Sequence, residues 1–254
     1  MIITFGSIRG APGATSWSLL LAAAWPIDIA VERVVLEADP AGGVLGARYG
    51  WGVEPGVVSL ASKLRRTDDR AFLIEPPARR LGVGFFVIPG PEAGEQAHAI
   101  WRTETDVVAR RLDADFRVWF VDAGRLEESS PTIGFSDESA MTLLVCGGRP
   151  EDLVQIPARV GALVARGQAV GLLVTGECKY NRDELADFTG VQHVWSAKHP
   201  DNLIEAVGEV LVEGRTRRRS LLWRRALEVA SDLAQATRDG RQATEPLKRS
   251  GVAR

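Results

Sequence analysis

The stretch TFGSIRGAPGATSWSLLLAAAW, residues 4–25, most constrains the fold, because it places a strand, a glycine loop and a helix in direct succession. In α/β proteins a loop of this kind points backbone N–H groups and the positive end of a helix at an anion. Taken alone, the stretch favours a plainer interpretation: a tight strand-to-helix turn in which Gly10 and Gly13 only permit close packing. The rest of the chain decides between the two.

Short apolar runs alternate with helical patterns along the whole chain. Runs such as RVWFVDAG and MTLLVCGG are apolar almost throughout, which is typical of parallel strands covered on both faces. The sequence therefore predicts an α/β fold, a doubly wound and mostly parallel sheet with helices on both faces, whose ligands bind beyond the carboxyl ends of the strands. The expected strands are 2–5, 33–37, 84–88, 117–121, 142–146, 169–174 and, more weakly, 192–195; the expected helices are 15–24, 92–112, 150–165, 182–188 and 201–212.

Positive charge is concentrated at the end of the chain. Residues 215–254 hold 11 Lys and Arg against 4 Asp and Glu, although the net charge of the whole chain is -2. We expect a core domain over 1–213, a basic amphipathic helix over 214–238 and a polar, disordered tail over 239–254.

Apolar residues recur at helical spacing in this basic helix, and arginines lie between them. The pattern favours a helix docked on the domain, with residues 215–225 as the alternative contact for an anionic membrane or for DNA. The apolar residues are Leu222, Ala226, Val229 and Leu233, and the arginines are Arg218, Arg219, Arg224 and Arg225.

Cys146 and Cys178 form no metal-ligand spacing, which favours a reducing compartment and excludes an iron–sulfur carrier. The chain begins without a basic segment followed by a long apolar one, and the apolar run at 19–25 is too short to cross a bilayer. We expect a cytoplasmic protein, peripheral at most at the inner face of the membrane.

Two nucleotide-binding patterns fit the loop imperfectly. Against G-x-x-x-x-G-K-[ST], Ile8 stands at the first glycine and Ala14 at the lysine. A dinucleotide site would place Glu37 or Asp39 near a ribose, but the sequence lacks G-x-G-x-x-G, so this alternative is weak.

Four segments together, IRGAPGATS, VVLEADPAGG, VWFVDAGR and LLVCGGRPEDL, resemble the ParA/MinD family of deviant P-loop ATPases. The resemblance covers roughly residues 1–213. With KYNRDELADFTG it is nearest to the actinobacterial CpaE/TadZ-like branch, which implies by analogy a role in pilus or secretion assembly.

The resemblance assigns roles by position. Arg9 matches the signature lysine that reaches the partner's phosphates across the family's dimer, so a homodimer is implied. Asp39 matches the switch I acid, with Glu37 its neighbour, and Asp122 matches the switch II acid. Asp39 and Asp122 are the catalytic candidates, and with Thr15 they would hold Mg²⁺ through water. The residues implied in binding ATP or ADP are Arg9, Gly10, Ala11, Pro12, Gly13, Ala14, Thr15 and Ser16.

Departures from the family pattern argue against rapid hydrolysis. Phosphoryl transfer depends on positioning and charge stabilisation, so replacing the loop lysine by Ala14 removes a main contribution, on the order of a hundred- to a thousand-fold in rate. Pro12 also lacks an N–H, and the family's late Pro-x-Asp segment, which is near its adenine pocket, is eroded at Ala197 and His199.

The leading hypothesis is a pseudo-NTPase or slow ATPase that positions a membrane-associated machine of the pilus or secretion type. Two alternatives stay open: an active ATP switch for chromosome or plasmid partition, with ATP-dependent dimerisation and DNA binding, and a purely structural binding module.

Overall fold

A computed structural model describes residues 1–9, 13–26, 31–52, 54–66, 78–81, 85–198, 202–212 and 220–250. In these ranges an eight-stranded sheet has the order β3-β4-β2-β5-β1-β6-β7-β8. All neighbouring strands pair in parallel except β3 and β4. The predicted doubly wound α/β fold is confirmed. The strands are β1 Ile2–Ser7, β2 Arg33–Glu37, β3 Arg79–Leu81, β4 Phe85–Ile88, β5 Val118–Arg125, β6 Met141–Gly147, β7 Val170–Thr175 and β8 His193–Ala197.

Ten helices cover the sheet within the described ranges. Three of them, α2, α3 and α5, have no counterpart in the sequence prediction, and neither does the short edge strand β3. The helices are α1 Ala14–Ala24, α2 Leu45–Arg48, α3 Val57–Arg66, α4 Gly94–Asp113, α5 Ile133–Asp137, α6 Pro150–Leu153, α7 Ile156–Ala165, α8 Arg182–Thr189, α9 Leu203–Val212 and α10 Leu221–Ser250.

The stretch predicted as one helix over 150–165 is two helices, α6 and α7. Pro157 lies in the first turn of α7 and has no N–H to donate to the carbonyl four residues earlier, so a continuous helix would lack that bond. The predicted starts at 84 and 201 fall outside the described residues.

Alternating side chains of the strands build a core on each face of the sheet. On β5, Phe120 packs with α1 and α10, whereas Trp119 and Val121 pack with α4 on the opposite face. A further core under α7 and α8 surrounds Leu144 and Leu172. Burial on both faces explains why these strands are apolar throughout their length.

Helix α10 docks on α1 with its apolar face. Leu222, Ala226, Val229 and Leu233 are buried there, and Arg225 donates from Nε to the backbone oxygen of Ser196 at 2.7 Å. The apolar face that a membrane-bound helix would need is therefore occupied by the domain itself.

The bounds of this helix differ from the expected ones. It begins at Leu221, residues 213–219 and 251–254 lie outside the described part, and it continues to Ser250 through the stretch where the sequence suggested a disordered tail. In this last part of α10, Ala243, Glu245 and Leu247 favour a helix, whereas Gly240 and Pro246 disfavour one.

Candidate functional site

Strands β2 and β5 bring two of the predicted acids side by side at the carboxyl edge of the sheet. Glu37 is the register partner of Asp122, and the N–H of Ala38 donates to the backbone oxygen of Asp122 at 2.8 Å. Asp39 follows two residues after Glu37 and contacts the same strand end. The fold therefore assembles Glu37, Asp39 and Asp122 into one acidic cluster next to the start of α1.

Glu37 holds two loops together. Its Oε1 accepts from the N–H groups of Val44 at 2.7 Å and Leu45 at 3.0 Å, and its Oε2 accepts from the N–H of Gly90 at 2.8 Å. Burial is the largest influence and raises the pKa of Glu37, while these backbone donors and Arg48 lower it. Because its oxygens are already engaged, Glu37 is a positioning residue for the loop that carries Asp39.

Glycines allow these two loops to pack backbone against backbone. A Cβ at Gly42 would lie 2.6 Å from the backbone oxygen of Glu92, and one at Gly43 would lie 2.6 Å from that of Gly90. A Cβ at Gly94 would lie 2.8 Å from the oxygen of Ala41. We call the contact between residues 39–44 and 89–94 the glycine lock. The sequence patterns did not predict this contact, although the segment PGPE at 89–92 follows the end of a strand.

Asp39 is fixed from two sides. Its Oδ1 accepts from the N–H of Ala41 at 2.8 Å, and its carboxyl group lies over Gly124, where a Cβ would come within 2.3 Å of it. Gly124 has φ +65°, a conformation that favours glycine. Burial raises the pKa of Asp39, and the Ala41 N–H lowers it.

Asp122 is fully buried. Burial is the main cause that raises its pKa to about 7; the Thr15 hydroxyl beside it lowers the value, the charges of Glu37 and Asp39 raise it, and the Gly124 N–H lowers it. That N–H donates to Oδ1 at 3.3 Å, while Oδ2 has no hydrogen-bond partner within the described part of the chain. An enclosed acceptor of this kind favours a proton or a cation.

The loop after β1 joins α1 through Gly13, which has φ +92°; a Cβ added there would lie only 2.6 Å from Leu203 Cδ2 of α9. Ala14 and Ser16 are buried in α1, and Thr15 is half-buried beside Asp122. Gly10, Ala11 and Pro12 lie outside the described residues. The structure therefore brings Thr15 to the acidic cluster and turns Ser16 inward.

Arg9 follows β1 and lies next to α6. Its Nη1 donates to the backbone oxygen of Glu151 at 3.0 Å, within the same chain. It borders a cavity of about 860 Å³ beyond the ends of β6 and β7, walled also by Asp152, Lys179 and Lys198. This volume is in the range that binds small ligands.

The oxygen donors near Thr15 suit a magnesium ion. Among the described residues no group of three His, Cys, Asp or Glu side chains could hold a metal by itself. Mg²⁺, however, usually keeps water and phosphate oxygens and takes only one or two carboxylates from the protein. The unpartnered Oδ2 of Asp122 and the Thr15 hydroxyl fit this mode of binding.

Comparisons with known proteins identify the fold. No protein-family model matches the chain, and no curated protein matches it. Among solved structures, the cell-division ATPase MinD of Pyrococcus furiosus superimposes with a TM-score of 0.72 at 15% identity, covering 92% of this chain and 98% of that one.

Two further structures were solved with nucleotide. The septum site-determining protein MinD of Pyrococcus horikoshii, complexed with Mg-ADP, gives a TM-score of 0.71 at 13% identity, covering 91% of this chain and 95% of that one. A complex of Cyanothece McdA(D38A) with ATP gives 0.68 at 13%, covering 92% and 96%. At these identities the likeness establishes the fold alone, which this chain shares with the MinD and McdA structures.

None of the described helices is both long enough and apolar enough to cross a membrane.

Proposed function

We propose that this chain is a ParA/MinD-like protein that binds ATP or ADP with Mg²⁺ at a degenerate phosphate loop, hydrolyses slowly, and serves as a localisation or assembly factor. One observation carries the proposal: Asp39, Asp122 and Thr15 converge at the carboxyl edge of the sheet, while Ala14 stands where the loop lysine would be.

The site residues that the structure describes would have distinct roles in binding the nucleotide and its Mg²⁺. Thr15 and Asp122 would hold Mg²⁺, Asp39 would orient water on that ion, and the start of α1 would face the phosphates. The ion, when bound, neutralises phosphate charge. The bound nucleotides in the horikoshii MinD and Cyanothece McdA structures support this ligand class.

The missing lysine separates binding from turnover. Ala14 brings no charge to the phosphates, and Arg9 is engaged with Glu151 on the other side of the loop. An arginine fork in that position does not replace an ammonium group on the loop itself. We therefore expect the nucleotide to bind through backbone donors and Mg²⁺, and its hydrolysis to be slow.

The cellular role is a proposal by resemblance. A CpaE/TadZ-like factor would act as a homodimer that positions a pilus or secretion machine. Arg9 would have to release Glu151 before it could reach a partner's phosphates, so dimerisation and the state of this residue would be coupled.

The test is calorimetric titration of Mg·ATP and Mg·ADP into the wild type, Ala14→Lys and Asp122→Asn, with steady-state phosphate release measured in parallel. We expect weak binding and slow release in the wild type, tighter binding and faster release in Ala14→Lys, and no Mg²⁺-dependent gain in Asp122→Asn. Melting curves without nucleotide verify that each variant is folded.

Wild-type turnover at the rate of ordinary ParA/MinD ATPases would refute the slow-ATPase proposal, and equal rates in the wild type and Ala14→Lys would show that the missing lysine is not the cause of slow turnover. Light scattering with and without Mg·ATP tests the alternative of an active partition ATPase. That alternative requires dimerisation that depends on ATP, as well as DNA binding. No nucleotide-dependent rise in melting temperature at any concentration would leave only a structural binding module.

A further inference from the structure

The end of β5 brings a cation to the start of the phosphate loop that follows β1. Arg125 is the register partner of Ser7, the last residue of β1, and its Nε donates to the backbone oxygen of Ile8 at 3.1 Å. The N–H of Leu126 donates to the backbone oxygen of Ser7 at 2.9 Å, so the backbone beside Arg125 is held as well. Arg125 is therefore anchored between the beginning of the loop and Asp122, three residues earlier on the same strand.

The guanidinium group of Arg125 has donors left for a ligand. Its Nε also lies 2.8 Å from Glu127 Oε1, in an ion pair whose side chains are 60% and 42% exposed. In the part of the chain that the structure describes, neither Nη1 nor Nη2 of Arg125 donates a hydrogen bond. An ion pair this exposed contributes little to stability, so phosphate oxygens can take the place of Glu127. The planar fork of the guanidinium matches their geometry.

The phosphates of a nucleotide at this edge of the sheet would need a cation besides Mg²⁺. Ala14 takes the place of the loop lysine, and Arg9 donates to the backbone oxygen of Glu151 on α6. The acidic cluster lies at the same edge, and its carboxylates repel phosphate oxygens. Arg125 carries its charge on the side of the loop that adjoins this cluster.

We propose that Arg125 binds the phosphate groups of the nucleotide and supplies there the positive charge that Ala14 lacks. The inference rests on the proposed function, because its ligand is the Mg-nucleotide of that site. On binding, the guanidinium exchanges Glu127 for phosphate oxygens and keeps its Nε bond to Ile8. Charge that acts equally on the bound nucleotide and on the transition state raises affinity without raising the rate of the chemical step, which agrees with slow hydrolysis.

The test is calorimetric titration of Mg·ATP and of Mg·tripolyphosphate into the wild type, Arg125→Gln and Arg125→Lys. Glutamine removes charge-assisted hydrogen bonds, so Arg125→Gln should bind both ligands about tenfold to a hundredfold more weakly. Arg125→Lys keeps the charge and should retain part of the affinity. Arg65→Gln is the matched control and should bind as the wild type does, because Arg65 is 64% exposed and is likewise paired with a carboxylate, that of Glu104 on α4.

Two further variants test the exchange of partners and the replacement of the lysine. Glu127→Gln frees the guanidinium and should bind Mg·ATP about two- to fivefold more tightly. In an Ala14→Lys background the loop carries its own cation, so Arg125→Gln should weaken binding there by only about threefold or less.

Several outcomes would overturn the inference. Equal Mg·ATP affinity of the wild type and Arg125→Gln would refute it and leave the proposed function standing. Equal losses in Arg125→Gln and Arg65→Gln would mean that only net charge matters. The same loss with Ala14 and with lysine at position 14 would show that Arg125 does not replace the missing lysine.

Failure of the proposed function has a different signature. Wild-type protein that binds neither ligand would refute the proposed function and this inference together. Binding of Mg·tripolyphosphate alone, weakened by Arg125→Gln, would refute nucleotide binding and retain Arg125 as a phosphate ligand. Melting curves without ligand verify that each variant is folded, and the tighter binding expected of Glu127→Gln gives a readout that loss of folding does not produce.

Discussion

The carboxyl group of Asp39 lies directly over Gly124, so close that a Cβ at residue 124 would fall 2.3 Å from Asp39 Oδ1. Because residue 124 has no Cβ, the end of β5 leaves room for the carboxyl group of Asp39, which follows β2. Asp39 is held by this fit as well as by the N–H of Ala41.

Gly124→Ala should therefore displace Asp39. We expect a loss of about 1–3 kcal/mol in unfolding free energy from the positive φ and the clash, together with weaker Mg²⁺-dependent nucleotide binding. Urea denaturation and calorimetry would measure the two effects. Gly167→Ala is the matched control, because Gly167 has φ +80° but a Cβ added there would meet no atom within 4 Å. Identical behaviour of the two variants would mean that the contact with Asp39 has no effect.

Glu37→Gln should loosen the glycine lock. The amide keeps the shape, but it replaces one acceptor oxygen by a donor that faces N–H groups of Leu45 or Gly90. We expect a loss of about 1–3 kcal/mol and faster amide exchange in residues 39–44 and 89–94 together. Glu209→Gln, at an exposed position of α9, is the control. Faster exchange in only one of the two loops would contradict their coupling through Glu37.

Asp122→Asn should change the dependence of stability on pH. The folded protein holds a proton on Asp122 up to about pH 7, whereas the unfolded chain loses it near 3.8, the ordinary pKa of an aspartate. The free energy of unfolding should therefore fall as pH rises between these values, by at most about 1.4 kcal/mol per pH unit from this group.

Denaturation without Mg²⁺ across pH 4–8 would test this (roughly the window between the two pKa values). The asparagine variant should show a shallower fall, retaining the part that Glu37 and Asp39 contribute through their raised pKa values. Parallel curves for the two proteins would show that Asp122 does not take up a proton on folding.

Val229→Asp should undock α10 from α1. Val229 is fully buried, and an unpaired carboxylate there is expected to cost about 3 kcal/mol or more. Leu227→Asp on the same helix, at a position 43% exposed, should change stability by about 0.5 kcal/mol or less. Thermal melts would compare them; equal melting temperatures would mean that this face does not contribute to the fold.

Strong apolar runs made much of the sheet predictable. Strand β2 was predicted at its observed bounds, and β6 and β7 within one residue at each end, because buried parallel strands are apolar without interruption. The short elements α2, α5 and β3 lack the length over which periodicity becomes visible, and tertiary packing decides their conformation. Pro157 was a readable signal for the break between α6 and α7.

The acids of the site were predictable as residues at strand ends, but their individual environments were not. Asp39, Asp122 and Glu37 were all expected at one edge of the sheet, and they meet there. The engagement of Glu37 depends on Gly90, 53 positions away, and the position of Asp39 depends on Gly124. Such contacts between distant loops leave no local pattern in the sequence. The roles of Gly10, Ala11 and Pro12 stay predictions.

The glycine lock couples the substitutions that two distant segments of the chain can accept. A side chain added at Gly43 would strike the backbone of residue 90, and one added at Gly94 would strike the backbone of residue 41. A side chain at Gly43 or Gly94 can be accommodated only if the opposite loop moves away, so we expect substitutions in the two loops to occur together. Redesign of the acidic edge would have to exchange both segments at once.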